Sequence, residues 1–286
     1  MPRFKVSGEL GEEGLIPTTK QFGTALSDIV RCTDCGHMQL ERFPSEAELE
    51  REYAAAVSDD YVDEEPGQRL SARAVLERVE HHRSVGRLLD VGCWVGFLMS
   101  EAEGRGWDTA GIEPSTFASA HARDVLGLDV RTAGLDDAEG EWDVVVMGDV
   151  LEHLTHANAA LENVASLTSP NGLLVLLLPD AGSRIARLLG KRWWSVIPTH
   201  VHYFTRDSIA TMLGAHGYEV LEFGTDPKAF TVRYYLEKGG GYLPRVSRVL
   251  VAIAERLGLA DRMWIPDFGD RMLVLARKPV EVVAEE

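Results

Sequence analysis

Three groups of residues combine side-chain types and spacings that suit chemistry. The first is the run Asp90, Gly92, Cys93 and Gly96, answered downstream by Glu113 and Pro114. A buried strand that ends in a glycine turn and opens a helix aims backbone N–H groups at a ligand. A carboxylate at the tip of the next strand can accept both hydroxyls of an adenosine ribose. A dinucleotide turn wants glycine at 92, 94 and 97; Trp94 and Phe97 stand at two of these, so a dinucleotide is disfavoured. The second group is Asp149, Glu152 and His153, directly after an apolar run ending at Met147 and Gly148. An imidazole, with an ordinary pKa of about 6.5, suits proton abstraction from a hydroxyl or amine. The competing reading is a histidine that only packs or hydrogen-bonds beneath the ligand. A divalent cation on Asp149, Glu152 and His153 is not favoured, because the sequence supplies no further oxygen ligands. The third group is His200 and His202, which alternate about Val201 so that both imidazoles point one way in an extended chain. With Trp193, Trp194, Tyr203 and the distant Tyr61 they read as a lid and acceptor pocket, and either histidine is an alternative base.

These groups need a scaffold that brings strand ends together. From residue 87 the chain alternates strand and helix, which predicts a parallel α/β sheet with helices on both faces. Strands are expected near 87–91, 107–112, 128–132, 142–147 and 172–178, and helices near 97–104, 115–126, 157–168 and 205–216. Strands at 218–224 and 271–277 would complete seven, the final pair a reversed hairpin split by an inserted segment, 226–264. Within that insertion Leu243, Val246, Leu250, Ile253 and Leu257 share one face of a helix near 244–258, expected to pack onto the domain. Upstream, Ser45 and Glu48 form a capping box for a helix over about 46–57. Leu70, Ala74, Val75 and Val79 line one face of a helix over 69–83. The expected organisation is an N-terminal segment, 1–44, and a helical lead-in, 45–84, that covers the ligand site. A core, 85–225, follows with a lid at 181–204, then the insertion, and 265–286 holds the last strand and a loose tail.

Composition narrows the partners. The chain has 286 residues, 45% hydrophobic and 26% charged, as in ordinary globular proteins. Its net charge of −16 argues against a nucleic-acid partner, whose affinity rests on basic residues releasing counterions. Three cysteines are too few for a disulfide framework and suit a reducing compartment. No signal peptide is evident, the longest apolar run is too short to span a bilayer, and the expected location is cytoplasmic. Cys32, Cys35 and His37 look like half of a zinc ribbon; without a second cysteine pair, zinc is disfavoured and a metal-free hairpin turn is expected. Arg184, Arg187, Lys191 and Arg192 lie among Ile185, Leu188 and Trp193, so a lid over 184–194 competes with membrane-surface contact and with plain core packing. Oligomeric state is open.

Asp90 with Gly92 and Gly96, the strand tip Gly111-Ile-Glu-Pro-Ser115, Gly148-Asp-Val-Leu-Glu-His153, and His200-Val-His-Tyr-Phe-Thr205 together resemble the class I S-adenosylmethionine (SAM) dependent methyltransferases. The likeness is to a bacterial small-molecule branch similar to the ubiquinone-biosynthesis O-methyltransferases, with a degenerate N-terminal ribbon. It implies a Rossmann-like seven-stranded sheet, with SAM as methyl donor and S-adenosylhomocysteine (SAH) as product. By position, Asp90, Gly92 and Gly96 would frame the methionine moiety, with Cys93 in the same loop, and Glu113 would hold the ribose. Pro114 and Leu135 would flank the adenine, with backbone of Met147 and Gly148 at its amino group. The implied activity is methylation, at oxygen, of a sugar, polysaccharide precursor or natural product with a histidine base. The alternative is a SAM-binding or scaffolding protein that has lost catalysis. Trp94 departs from the family's glycine. Because a tryptophan enters positive φ at a cost, either the turn stays in an ordinary region or SAM binds weakly.

Overall fold

The computed structural model describes residues 3–6, 22–45, 49, 51, 62 and 64–280. Strands β1 (Arg3–Phe4), β2 (Ile29–Arg31) and β3 (Met38–Leu40) precede a helix at Glu65–His82. The chain then runs through β4 (Arg87–Val91), helix Phe97–Glu103, β5 (Asp108–Ile112), helix Thr116–Asp124 and β6 (Val130–Arg131). β7 (Trp142–Gly148), helix Ala157–Leu167 and β8 (Thr168–Pro179) follow. After helix Arg184–Leu189 come β9 (His202–Tyr203), helix Arg206–Ala215, β10 (Glu219–Thr225) and β11 (Phe230–Thr231). Helices Val232–Gly239 and Pro244–Arg256, β12 (Met263–Trp264) and β13 (Arg271–Arg277) end the order.

Seven strands form one mixed sheet in the order β10-β13-β8-β7-β4-β5-β6. β4 to β8 are parallel, and β13 lies antiparallel between β8 and β10, as the split hairpin requires. Side chains alternate along each strand, so a fully apolar strand feeds two cores. Val145, Met147, Leu174 and Leu176 join the helices Ala157–Leu167 and Arg206–Ala215 on one face. Val144, Val146, Leu173 and Val175 join Val75, Leu76 and Val79 of helix Glu65–His82 on the other. Caps set two of the helix starts. Ser115 accepts from Ala118 N, and Thr205 makes a capping box with Ser208.

Two expected faces are corrected. Helix Glu65–His82 buries Ala72, Val75, Leu76 and Val79, whereas Leu70 and Ala74 are exposed. The helix is turned so that Ser71 Oγ meets the chain at Ala229 N, at 3.0 Å, and Gly67 abuts Ala229 and Met263. The helix Pro244–Arg256 packs through Ser247 and Ala254, and its apolar stripe faces outward.

The N-terminal strands pair beyond their own segment. They form a sheet in the order β1-β2-β3-β9, so that residues 202–203, expected in the lid, supply its fourth strand. Cys32 and Cys35 are free thiols in the β2–β3 turn, closed by Cys32 N donating to His37 O at 2.8 Å. Val6, Ile29 and Leu40 share an apolar cluster with Ala186, Trp193, Val196, Val201 and Tyr203. The helix expected over 46–57, Tyr61 and the tail beyond 280 lie outside the described residues, apart from isolated positions of that helix.

Candidate active site

The β4 strand ends at Val91, and the chain turns through Gly92 (φ +69°) and Gly96 (φ +85°) into helix Phe97–Glu103. A Cβ at Gly92 would stand 2.5 Å from Val150 Cγ2, so the close approach of the two loops demands glycine there. Between them Trp94 sits at φ 48°, in the left-handed region, rather than in an ordinary one. That conformation costs a side-chain-bearing residue about 1–2 kcal/mol. Two contacts offset it. Trp94 N donates to Glu113 Oε2 at 2.9 Å, and the indole packs with the cluster of Val95, Phe97 and Ala118.

Glu113, at the tip of β5, is buried, and its other oxygen accepts from Ser115 N at 2.7 Å. Both carboxylate oxygens therefore tie the glycine turn to the next helix start. Burial raises the pKa of Glu113, with the two amides pulling the other way. Asp90 is buried one strand over; burial first, then the charge of Glu113, pushes it up to about 8. Burial also raises the Cys93 thiol well above its ordinary value, with Asp90 and Glu113 adding to the effect.

A cavity of about 100 Å³ lies beyond the strand ends, under the helix Glu65–His82. Asp90, Gly92, Cys93 and Gly148 line it, as does Trp94. The other residues expected at the cofactor do not line this cavity. A Cβ at Gly96 would meet Leu128 and Ala122, so that glycine serves helix packing. The Met147 side chain is fully buried in the core, leaving only its backbone at the strand end. Pro114 is half-buried, and Leu135, in the turn Leu135–Asp137, packs against the core from outside. Sequence reasoning missed Gln68, Ser71, Asp226 and Lys228, which also line the cavity. They come from the lead-in helix and from the loop after β10, and no spacing in the chain links them to the glycine turn.

At the β7 end Asp149 takes φ 57° and enters a four-member ion cluster. Its oxygens lie 2.7 Å from Arg271 Nη2 and 3.4 Å from Lys228 Nζ; Asp226 lies 2.9 and 3.3 Å from the same two cations. Burial alone would raise Asp149, but Arg271 and then Lys228 hold it below the carboxylate range. Asp149 is thus engaged by cations of the chain itself. Glu152, His153 and His200 come together, with one potential ligand atom from each within 4.8 Å of the others. Glu152 is almost fully buried; burial and then Asp149 push it up to about 8. His153 Nδ1 lies 2.9 Å from Thr199 O, a contact in which the imidazole N–H donates. Burial lowers His153 to about 4, the Thr199 carbonyl opposing, so the ring is neutral at pH 7. His200 meets it edge-on at 4.6 Å and is also held well below its ordinary value by burial and by His153.

His200 and His202 do not share a target. His202 Nδ1 lies 3.1 Å from His37 Nε2 in the N-terminal hairpin, and burial lowers each of these two imidazoles to about 4. None of His153, His200 and His202 lines the cavity. Trp193 is core, its Nε1 donating to Asp270 Oδ2 at 3.2 Å, while half-buried Trp194 packs edge-on against Phe268. Tyr203 is buried in the same N-terminal core, and its hydroxyl is raised by burial. The segment 181–204 thus packs against the N-terminal strands through Trp193, Val201 and Tyr203.

A glycine turn after the first parallel strand, an acid at the second strand tip and a reversed final strand define a Rossmann-like fold with a nucleoside-type site. The chain belongs to the family described as Methyltransferase domain, whose model matches residues 64–223. Among curated relatives, it is 34% identical over 97 residues to the ubiquinone biosynthesis O-methyltransferase of Rhodopseudomonas palustris (strain HaA2), spanning 32% of this chain and 38% of that protein. It is 27% identical over 154 residues to the enzyme of that name from Azorhizobium caulinodans, spanning 48% of this chain and 60% of the relative. The chain therefore matches less than two thirds of the length of either relative. The fold is similar to that of the N-methyltransferase NodS from Bradyrhizobium japonicum WM9, solved with SAH, with TM-score 0.52 and 17% identity. That likeness covers 82% of this chain and 97% of NodS.

Proposed function

We propose that this chain is a SAM-dependent methyltransferase that methylates a small-molecule acceptor at oxygen. The observation that carries the reading is the turn Gly92–Gly96, with Asp90 behind it and Glu113 across from it, in a chain of the methyltransferase-domain family. The acceptor atom is taken from the names of the curated relatives. The residues present fit the donor. Gln68 Nε2 is buried at the cavity without a hydrogen-bond partner, a donor suited to a carboxylate. Asp90 offers a carboxylate to a cationic centre, and Gly92 and Gly148 leave room for backbone approach.

SAM, when bound, supplies an electrophilic methyl group on a sulfonium. The chain's part is to orient and desolvate, and for an in-line displacement positioning alone supplies much of the acceleration. Asp90 and Gln68 would hold the amino-acid end, and Glu113 would exchange its loop amides for ribose hydroxyls. Ligand pockets start at roughly 300 Å³, so the cavity must widen for the donor to enter, and the Trp94 indole is one of its walls. His153 is the favoured base. Its Nδ1–H is fixed by Thr199 O, which makes Nε2 the proton acceptor, and burial keeps that atom deprotonated at neutral pH. His200 supports the same ring edge-on.

A second reading, a SAM-binding protein without turnover, is favoured by Trp94 standing in the cavity wall where the family has glycine and by histidines that do not line it. Calorimetry with SAH, paired with transfer of labelled methyl from SAM to a panel of hydroxylated acceptors, separates the two. Binding with transfer supports the enzyme and binding without transfer the scaffold; failure to bind SAH removes both.

A further inference from the structure

The helix Pro244–Arg256 carries an apolar stripe that no described part of the fold covers. Leu243, Val246, Leu250, Ile253 and Leu257 recur at spacings of three and four, which places them on one side of a helix. Leu243 is 61% exposed and Leu257 64%, and the three between them are also exposed. The helix is held from a different side, through Ser247, whose Oγ donates to Leu236 O at 2.7 Å, and through Ala254.

The charge beside the stripe is of one sign. Arg245, Arg248 and Arg256 flank a shallow surface with Val249 and Ile253, and among the described residues none of the three is ion-paired. The helix's one acid, Glu255, is engaged by Arg233 Nη1 at 2.6 Å. Among the described residues these guanidiniums stand without acidic partners, on a chain whose net charge is −16. A second patch adjoins the helix at its start. Tyr242 donates its hydroxyl to Arg192 O at 2.5 Å, and that turn follows Leu188, which is 84% exposed between Arg187 and Lys191.

An outward apolar ridge bordered by arginines without acidic partners is the pattern of a helix lying in a lipid–water interface, its stripe among acyl chains and its cations at phosphates. We infer that the helix Pro244–Arg256 docks this protein on an anionic lipid surface. The charge decides between occupants. A second copy would bring the same guanidiniums to the contact and no acids of the stripe's own, whereas an anionic bilayer complements both stripe and rim. This inference does not depend on the methyl donor.

The test is co-sedimentation of the full chain with phosphatidylcholine vesicles and with vesicles containing phosphatidylglycerol, at low and high salt, alongside light scattering for mass. The chain is expected on the anionic vesicles alone and to be released by salt. The triple variant Arg245→Gln/Arg248→Gln/Arg256→Gln should weaken binding on the order of 100-fold. Leu250→Ser/Ile253→Ser should abolish it while leaving the melting temperature unchanged, since both side chains are exposed. No binding to either vesicle overturns the inference, as does equal, salt-insensitive binding to both. A dimer that Leu250→Ser/Ile253→Ser dissolves, with no vesicle binding by the wild type, overturns it in favour of self-association.

Discussion

Replacing Asp90 by asparagine tests the cofactor site through its protonation. Burial and the neighbouring Glu113 push Asp90 up to about 8, so the carboxyl is neutral over most of the physiological range in the free protein. The ammonium of the amino-acid end, which SAM and SAH share, would favour the ionised form beside it. When only the ionised form is competent to bind, the apparent Kd is the intrinsic Kd divided by the ionised fraction. A group titrating at about 8 is about 1% ionised at pH 6 and about half ionised at pH 8, so SAH affinity should rise about 50-fold between those values. Isothermal titration across this range should show that slope in the wild type and none in Asp90→Asn. The ligand's own amine titrates equally in both proteins, so the ratio of the two profiles isolates Asp90. Stability runs the other way. The folded chain keeps a proton that the unfolded chain releases above about pH 4, so stability falls as pH rises from there towards 8. Asp90→Asn removes that loss, worth up to about 6 kcal/mol at about 1.4 kcal/mol per pH unit, and the ligand-free variant should melt higher at pH 8. A flat wild-type binding profile, or an unchanged slope in the asparagine variant, refutes the reasoning.

Trp94→Gly and Trp94→Ala should tighten SAH alike by calorimetry, because each takes the indole off the cavity wall, whereas the strain of the left-handed turn is carried by free and bound protein equally; a gain confined to glycine would contradict this. Arg271→Ala leaves the half-buried Asp149 and the buried Asp226 with Lys228 as their one remaining cation, which costs up to about 3–5 kcal/mol. A fall in Tm of roughly 10 °C should appear by scanning calorimetry, and a change under about two degrees would contradict the ion cluster. His153→Ala should lower kcat about 100-fold with little change in KM. Since burial lowers that imidazole to about 4, its base form is complete well below neutrality, and wild-type kcat should be flat from pH 6 to pH 8 on its account. An inflection near the ordinary histidine value of about 6.5 that His153→Ala removes would show an accessible histidine instead.

The central strands β7, β8 and β13 are legible in the sequence because each is an apolar run buried on both faces, which leaves little choice of partner, and the rest follow from the alternation with helices. The glycine turn and Glu113 are legible for a related reason: local backbone geometry dictates residue type at Gly92, and a strand tip dictates position. Side-chain partners are not. The pairing of His202 with His37 joins residues 165 apart in sequence, and the periodicity of His200 and His202 says nothing about what lies opposite. The ion cluster draws Asp149, Asp226, Lys228 and Arg271 from different loops and strand ends, so no window contains it. The stripe on the helix Pro244–Arg256 is legible as a stripe, but its outward direction runs against the expectation of packing onto the domain. Periodicity fixes which residues share a side, and only the packing of Ser247 and Ala254 fixes where that side points.

The pairing of β3 with β9 has a practical bearing on how this protein can be cut. A fragment starting at residue 64, where the family match begins, looks like a natural minimal unit. Such a fragment would strip the neighbour from β9 and bare Trp193, Val201 and Tyr203, leaving a sticky, half-zipped margin open to pairing between molecules. Expression trials that trim the leading hairpin should therefore yield inclusion bodies, and soluble material will come from keeping it attached.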